Sequence, residues 1–219
     1  MAKPEPYPFR RRPLLDLYRR LYKNYGPQGW WPAKTPFEVM VGAVLTQNTA
    51  WTNVERAITN LRRAGCLSAK SILAAEPDEL AALIKPSGYF NIKERRLRSL
   101  CQWFRDRGGL ARLRRYSTSA LRDDLLAVHG IGPETADDIL LYAFHRPVFV
   151  IDTYTRRLFS RLDLINGDER YEALRLGIEA VLDPDAPLFN EYHALIVRHA
   201  KEPCTERHNC RHCRVEKSL

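Results

Sequence analysis

The sequence predicts an all-α fold. Apolar residues recur at helical spacing in segment after segment, Ser, Thr or Pro stands where many of these segments begin, and Gly or Pro closes them after short connections. Helices joined by short loops bury their apolar stripes against one another, so a helical bundle is expected.

Residues 1–13 are rich in Pro and place Arg10, Arg11 and Arg12 in a row, which predicts a poorly ordered basic arm. From Leu14, the residues Leu15, Leu17, Tyr18, Leu21 and Tyr22 trace a helix that Gly26, Pro27 and Gly29 close. Trp30 and Trp31 follow. Two adjacent large aromatics either pack into a core or line a pocket that stacks on a flat ligand. Thr35-Pro36 opens a buried helix with Phe37, Met40, Val41, Val44 and Leu45 as its apolar face. Polar Thr46, Gln47, Asn48 and Thr49 interrupt it, and Trp51, Val54, Ala57, Ile58 and Leu61 carry the next helix. Further helices are expected over 68–75, 77–84, 92–106 and 119–128, with loops at Pro86-Ser87-Gly88 and Gly108-Gly109. Helix 92–106 bears Lys93, Arg95, Arg96, Arg98 and Arg105, with Arg112, Arg114 and Arg115 beyond it. Some of these should face phosphate and others form a solvated helix face.

Residues 117–162 hold the most informative stretch. Ser117, Thr118 and Ser119 offer N-cap hydroxyls, and Leu121, Leu125, Leu126 and Val128 make a short amphipathic helix ending at His129. Gly130 and Gly132, with only Ile131 between them, permit a tight hairpin, and Pro133 has the fixed φ suited to the first position of a second helix. That helix buries Ala136, Ile139, Leu140, Ala143 and Phe144 and ends by Pro147. Backbone amides beside glycines can hold a phosphate oxygen without a side chain. The apolar run Val148, Phe149, Val150, Ile151 then stops abruptly at Asp152-Thr153, ahead of a helix with Leu158, Phe159 and Leu162 inside and Arg156, Arg157 and Arg161 outside. Asp152 is thus a carboxylate anchored at a helix start, and the plain reading is an N-cap. A helix over 171–182, a Pro184/Pro187 loop and a helix with Leu188, Tyr192, Leu195 and Ile196 complete the pattern.

The 219-residue chain carries 35 Lys plus Arg against 26 Asp plus Glu, a formal net charge of +9, which suits a phosphate-binding surface although a merely basic protein would share it. No stretch approaches about 18 consecutive apolar residues and none follows the early arginines, so the expectation is an intracellular protein, cytoplasmic or nucleoid-associated, with no membrane segment. Of five cysteines three crowd at the end, which points to reduced thiols and a metal site more than to a disulfide framework.

His129-Gly130-Ile131-Gly132 with Thr135-Ala136, then Val150-Ile151-Asp152-Thr153 with Arg156, resembles the helix-hairpin-helix and aspartate loop of the endonuclease III superfamily of DNA glycosylases. Pro36-Phe37-Glu38, Val44-Leu45-Thr46-Gln47-Asn48-Thr49 and Ser87-Gly88-Tyr89-Phe90-Asn91-Ile92-Lys93 match in the family's order, so the resemblance runs from about residue 35 to the C-terminus. It implies two helical lobes, 1–34 with 147–219 and 35–146, and a DNA groove between them. It also implies a monomer acting on double-stranded DNA with a damaged base. The resemblance makes Asp152 the catalytic carboxylate, places Trp30, Trp31, Trp51, Gln47 and Glu134 around the base pocket, and sets Gln47, Tyr89, Gly130, Gly132, Thr135 and Arg156 against DNA, with Gln47 and Tyr89 entering the duplex.

Cleaving an N-glycosidic bond builds positive charge on the sugar, which a nearby carboxylate stabilises while orienting or deprotonating water. Family members that also cut the strand use a lysine of the hairpin's second helix, and the matching position here is Glu134. A monofunctional glycosylase is therefore implied. The tryptophans resemble the branch that removes alkylated purines such as 3-methyladenine, whose cationic rings stack well on indole. Oxidised pyrimidine and mismatched uracil or thymine stay open as substrates, as do a non-catalytic DNA-binding protein and a metal-binding adaptor. In the family a four-cysteine loop holds a [4Fe–4S] cluster. Cys204, Cys210 and Cys213 fit three of its ligands, but the fourth position is Leu219, so zinc completed by His199, His208 or His212, or no metal, remains an alternative.

Overall fold

The structure, a computed structural model, describes residues 4–31 and 33–201. Cys204, Cys210 and Cys213, the expected metal ligands, lie outside the described residues, as do His208 and His212. The fold is all-α: in order, α1 Arg11–Tyr25, α2 Pro36–Leu45, α3 Trp51–Arg63, α4 Ala69–Ala74, α5 Pro77–Ile84, α6 Phe90–Asp106, α7 Gly109–Leu113, α8 Thr118–Leu126, α9 Pro133–Asp138, α10 Thr153–Arg161, α11 Tyr171–Val181 and α12 Ala186–Lys201. None of the described helices is long and apolar enough to cross a membrane. The chain divides into two compact units, Ala33–Phe144 and a second made of Met1–Pro32 with His145–Leu219.

Within Ala33–Phe144, α2 is the central rod. Residues Glu38 to Leu45 are all buried, and α2 packs against α3, α6 and the segment after α9. A helix apolar all round belongs in an interior, and this one starts cleanly because the Thr35 hydroxyl accepts from the Glu38 amide at 3.1 Å ahead of Pro36. Its buried Glu38 is neutralised by Arg62 of α3 at 2.6 Å. Across the hairpin, Arg122 of α8 grips the fully buried Asp137 of α9 with two hydrogen bonds, Nε to Oδ1 at 2.7 Å and Nη2 to Oδ2 at 3.0 Å. The hairpin's second helix differs from the single α-helix expected. After Asp138 it widens into a π-helical turn, Ile139–Ala143, whose five side chains are all buried. A run apolar on every side gives no periodicity from which such a turn could be read.

In the other unit, α12 packs on α1 and α10. Its Tyr192 is wholly buried and donates to the Leu14 carbonyl of α1 at 2.8 Å, while Phe149 meets the rings of Phe189 and Tyr192 at 5.4 and 5.6 Å.

The basic arm expected over 1–13 is corrected by this unit. Helix α1 already begins at Arg11, and that residue hydrogen-bonds the Val181 carbonyl. Ahead of it the Tyr7 amide donates to the Ala173 carbonyl at 2.9 Å, Phe9 is buried, and the Phe9 ring meets Phe159 at 5.9 Å. Two aromatics hidden among prolines and arginines supply apolar area that holds the segment down. It rests on Gly177 of α11, where an added Cβ would lie 2.3 Å from the Tyr7 carbonyl oxygen. In an open helix interior Gly→Ala stabilises by about 1 kcal/mol, but overpacking against backbone costs about 1–3 kcal/mol and wins here. Gly177→Ala is therefore expected to lower the thermal midpoint and speed protease cleavage within residues 4–10. An unchanged or higher midpoint would show that the segment is not seated there.

Candidate active site

The candidate site residues fall into two sets, one in each unit. In Ala33–Phe144 the hairpin turns through Gly130, whose φ of +84° is left-handed and strained for any other residue, while Ile131 is buried and its amide donates to the Val128 carbonyl at 3.1 Å. Gly132, Pro133 and Glu134 form the exposed start of α9. Gln47 is drawn into this hairpin. Its Nε2 donates to the Gly130 carbonyl at 3.0 Å and to the Thr135 hydroxyl at 2.9 Å, and Arg96 Nη1 donates to its Oε1 at 2.5 Å. Arg96 lies over the turn so closely that a Cβ on Gly130 would come 2.3 Å from its Cγ.

The sequence set Gln47 and Thr135 against DNA; here Thr135 is buried, and both brace the turn from within, because a buried hydroxyl and carbonyl require a donor. Asn48, next to Gln47, is the exposed tip of that loop, with φ +52°. Among the described residues Tyr89 is the most exposed of the large hydrophobic side chains, at 67%, and its backbone is left-handed at φ +46°. Both the exposure and the dihedral are unfavourable for a bulky residue. Trp51 opens α3 half-buried.

Three basic residues of α6 depart from the solvated or phosphate-facing roles expected of them, while Arg95 and Arg105 are exposed. Lys93 is buried at 1% exposure, Arg96 braces the hairpin, and Arg98 is held by Glu94 and the carbonyls of Leu73 and Ala75. Lys93 shares its face with buried Leu97, Leu100 and Cys101, and that helical spacing was the signal available in the sequence.

In the other unit, the fully apolar and buried run Val148–Ile151 delivers Asp152 to the start of α10. Asp152 is the N-cap, its Oδ1 accepting from the Thr155 amide at 2.7 Å, and its Oδ2 lies 3.4 Å from Nε2 of the buried His193 of α12. Burial pushes the carboxyl upward, but His193 and the Thr155 donors together outweigh it and hold Asp152 below the ordinary carboxylate value. It stays anionic at neutral pH. At the exposed end of α12, the Lys201 ammonium lies 5.6 Å from the centroids of both the Trp30 and Tyr154 rings. Desolvation there lowers its pKa while the Asp152 charge pulls the other way. Trp30 and Trp31 are half-buried with their rings edge to face at 6.2 Å. Arg156, expected on DNA, donates to the Glu169 carbonyl at 2.9 Å and so braces the loop before α11. His193 and Lys201 escaped the sequence reading because the residues they meet are remote in the chain. Among the described residues no group of His, Cys, Asp and Glu is arranged to hold a metal ion.

Residues 41–184 match the family model of the HhH-GPD superfamily base excision DNA repair proteins. A Methanocaldococcus jannaschii protein provisionally named a DNA repair glycosylase is 43% identical over 207 residues, 93% of this chain and 94% of its own. Endonuclease III of Sulfolobus acidocaldarius is 27% identical over 78% of this chain and 75% of its own. Among solved structures, the H. pylori 3-methyladenine DNA glycosylase bound to 1,N6-ethenoadenine superposes with a TM-score of 0.73 at 32% identity, covering 87% of this chain and 97% of that one. A non-covalent endonuclease III–DNA complex superposes at 0.79 with 19% identity over 94% and 92%, a likeness of fold.

Proposed function

The chain belongs to the HhH-GPD superfamily of base excision DNA repair proteins and is a DNA glycosylase of that family, and from this premise we propose that it releases N-alkylated purines from duplex DNA as a monomer, without cutting the strand. The observation that carries the chemistry is Asp152: a carboxylate buried at a helix start, kept ionised by His193 and Thr155. Placed beneath the sugar of an extruded nucleotide, it stabilises the cationic sugar as the base departs and orients the water that adds to it. The hairpin takes the strand backbone at its exposed Gly132 and the start of α9, Tyr89 fills the gap in the stack, and Trp30, Trp31 and Trp51 supply flat faces for the base. Glu134 stands where strand-cutting members carry an amine and cannot form a Schiff base. The alkylated-purine reading draws support from the tryptophan pair and from the likeness to the H. pylori enzyme, which was solved with an ethenoadenine.

One observation favours a second reading. The Lys201 ammonium lies over the Trp30 ring, where a stacked cationic base would meet a like charge, and a cation beside the base assists a leaving group that departs as an anion. Uracil, or an oxidised pyrimidine, leaves in that way.

A panel of duplexes carrying 3-methyladenine or ethenoadenine, an oxidised pyrimidine, or mismatched uracil decides between them when each is read with and without alkali. The expected result is release of the alkylated purine with strand breaks only after alkali. Release confined to pyrimidines would overturn the alkylpurine assignment, and breaks without alkali would overturn the monofunctional one. Lys201→Met sharpens the choice: a unit charge at this range near a surface is worth roughly 1–3 kcal/mol, so it should change pyrimidine release about tenfold downward and leave alkylpurine release equal or faster.

A further inference from the structure

We propose that Lys93 is a positioning residue, a buried clamp that ties the loop bearing Gln47 and Asn48 to the loop bearing Tyr89 so that both tips enter the duplex as one body. The inference rests on the glycosylase reading, which puts Tyr89 in the DNA stack, and it adds Asn48 as the second tip.

Three short hydrogen bonds make the clamp. Lys93 Nζ donates to the Leu45 carbonyl at 2.8 Å, to the Thr49 hydroxyl at 2.7 Å and to the Ser87 carbonyl at 2.7 Å. Leu45 and Thr49 bracket the first loop, and Ser87 stands two residues before Tyr89. The Thr49 hydroxyl closes the arrangement by donating to the same Ser87 carbonyl, so each loop is also tied directly to the other. Ser87 is wholly buried, and its hydroxyl donates to the Ile84 carbonyl at 2.7 Å.

Such an arrangement is unfavourable unless something requires it. The ammonium is at 1% exposure and is met by dipoles, two carbonyls and a hydroxyl, one of them the last carbonyl of α2. Burial pushes its pKa down to about 8, and the Arg96 guanidinium on the next turn of α6 adds to the fall. The two tips it serves are both exposed non-glycine residues in the left-handed region, Asn48 at φ +52° and Tyr89 at φ +46°. For Tyr89 that conformation is strained, and a strained, exposed tip on a buried anchor suits a surface held ready for a ligand. A lysine kept only for packing would be replaced without loss by an apolar side chain of its length.

Lys93→Met and Thr49→Val sever the clamp from opposite sides. Thermal melts establish that each variant is folded, and fluorescence of 2-aminopurine beside a tetrahydrofuran abasic analogue in a duplex reports unstacking without requiring chemistry. Both variants should lose about tenfold in unstacking amplitude and in release of the lesion from a duplex, while duplex affinity and release from a single strand change less than about threefold. Variants that fold and keep wild-type unstacking overturn the clamp and leave the glycosylase reading intact, as do variants that lose duplex and single-strand release equally. A wild-type protein that neither unstacks the probe nor releases any base overturns both.

Discussion

Asp152→Asn is expected to lower single-turnover base release from a lesion duplex by about 10²–10³, the usual cost of removing one preorganised electrostatic group, while duplex affinity stays within a few-fold. Asparagine is chosen because it caps helices as well as aspartate does and can still accept from the Thr155 amide, so α10 should keep its start. Alanine would confound the result by removing the cap, worth about 1 kcal/mol. Gel-shift titration and release kinetics on the same duplex separate the two quantities. Equal release by parent and variant would remove the carboxylate from the chemistry. A parent that binds duplex but frees no base from any lesion would instead describe a backbone clamp built on the same hairpin.

His193→Ala is the second large effect, and it is read through pH. In the native site burial raises the Asp152 pKa, while His193 first and the Thr155 donors next lower it further than burial raises it. The native carboxyl therefore titrates below the ordinary carboxylate value, and release should be level from pH 7 down to 5. With His193 gone, burial is opposed by Thr155 alone, and the acid limb of kcat/KM moves upward, so the variant loses more at pH 5.5 than at pH 8. Stability follows the same sign. A folded pKa below the unfolded one stabilises at pH values above the unfolded pKa, and that stabilisation is lost as pH falls through the folded value. In the variant the folded pKa rises, and the contribution at neutral pH shrinks or reverses. Melting curves at pH 5 and 8 should show the alanine protein losing more stability at the higher pH. A pH–rate profile parallel to the wild-type one would show that His193 does not tune the carboxyl.

Much of this was legible in the sequence wherever the cause is local. Ser117 caps α8, Pro133 takes the first position of α9, Pro36 that of α2, and the buried run 148–151 does end in a capping Asp152. Each depends on neighbours within a few residues. What escaped depends on contacts made across the chain. Tyr7 and Phe9 find Ala173 and Phe159, which composition cannot foresee in a Pro- and Arg-rich stretch. Gln47 looked like a polar tip, yet its partners at Gly130 and Thr135 turn it inward and leave Asn48 outside. Lys93 read as one more cation in a basic run, although its place on the Leu97–Leu100 stripe marked it as buried.

The unit that holds Asp152 is assembled from both ends of the polypeptide, with Leu14, Leu17 and Leu21 of α1 sealed by a helix that starts at Ala186. On the ribosome, which delivers the amino-terminal part first, α1 therefore emerges long before its partner exists. The intervening residues 33–144 form a compact unit around α2 that is complete before α12 is made, while three leucines wait for their cover. The hairpin proposed to hold DNA thus lies in the unit whose residues emerge together, whereas Asp152 sits in a unit that waits for α12.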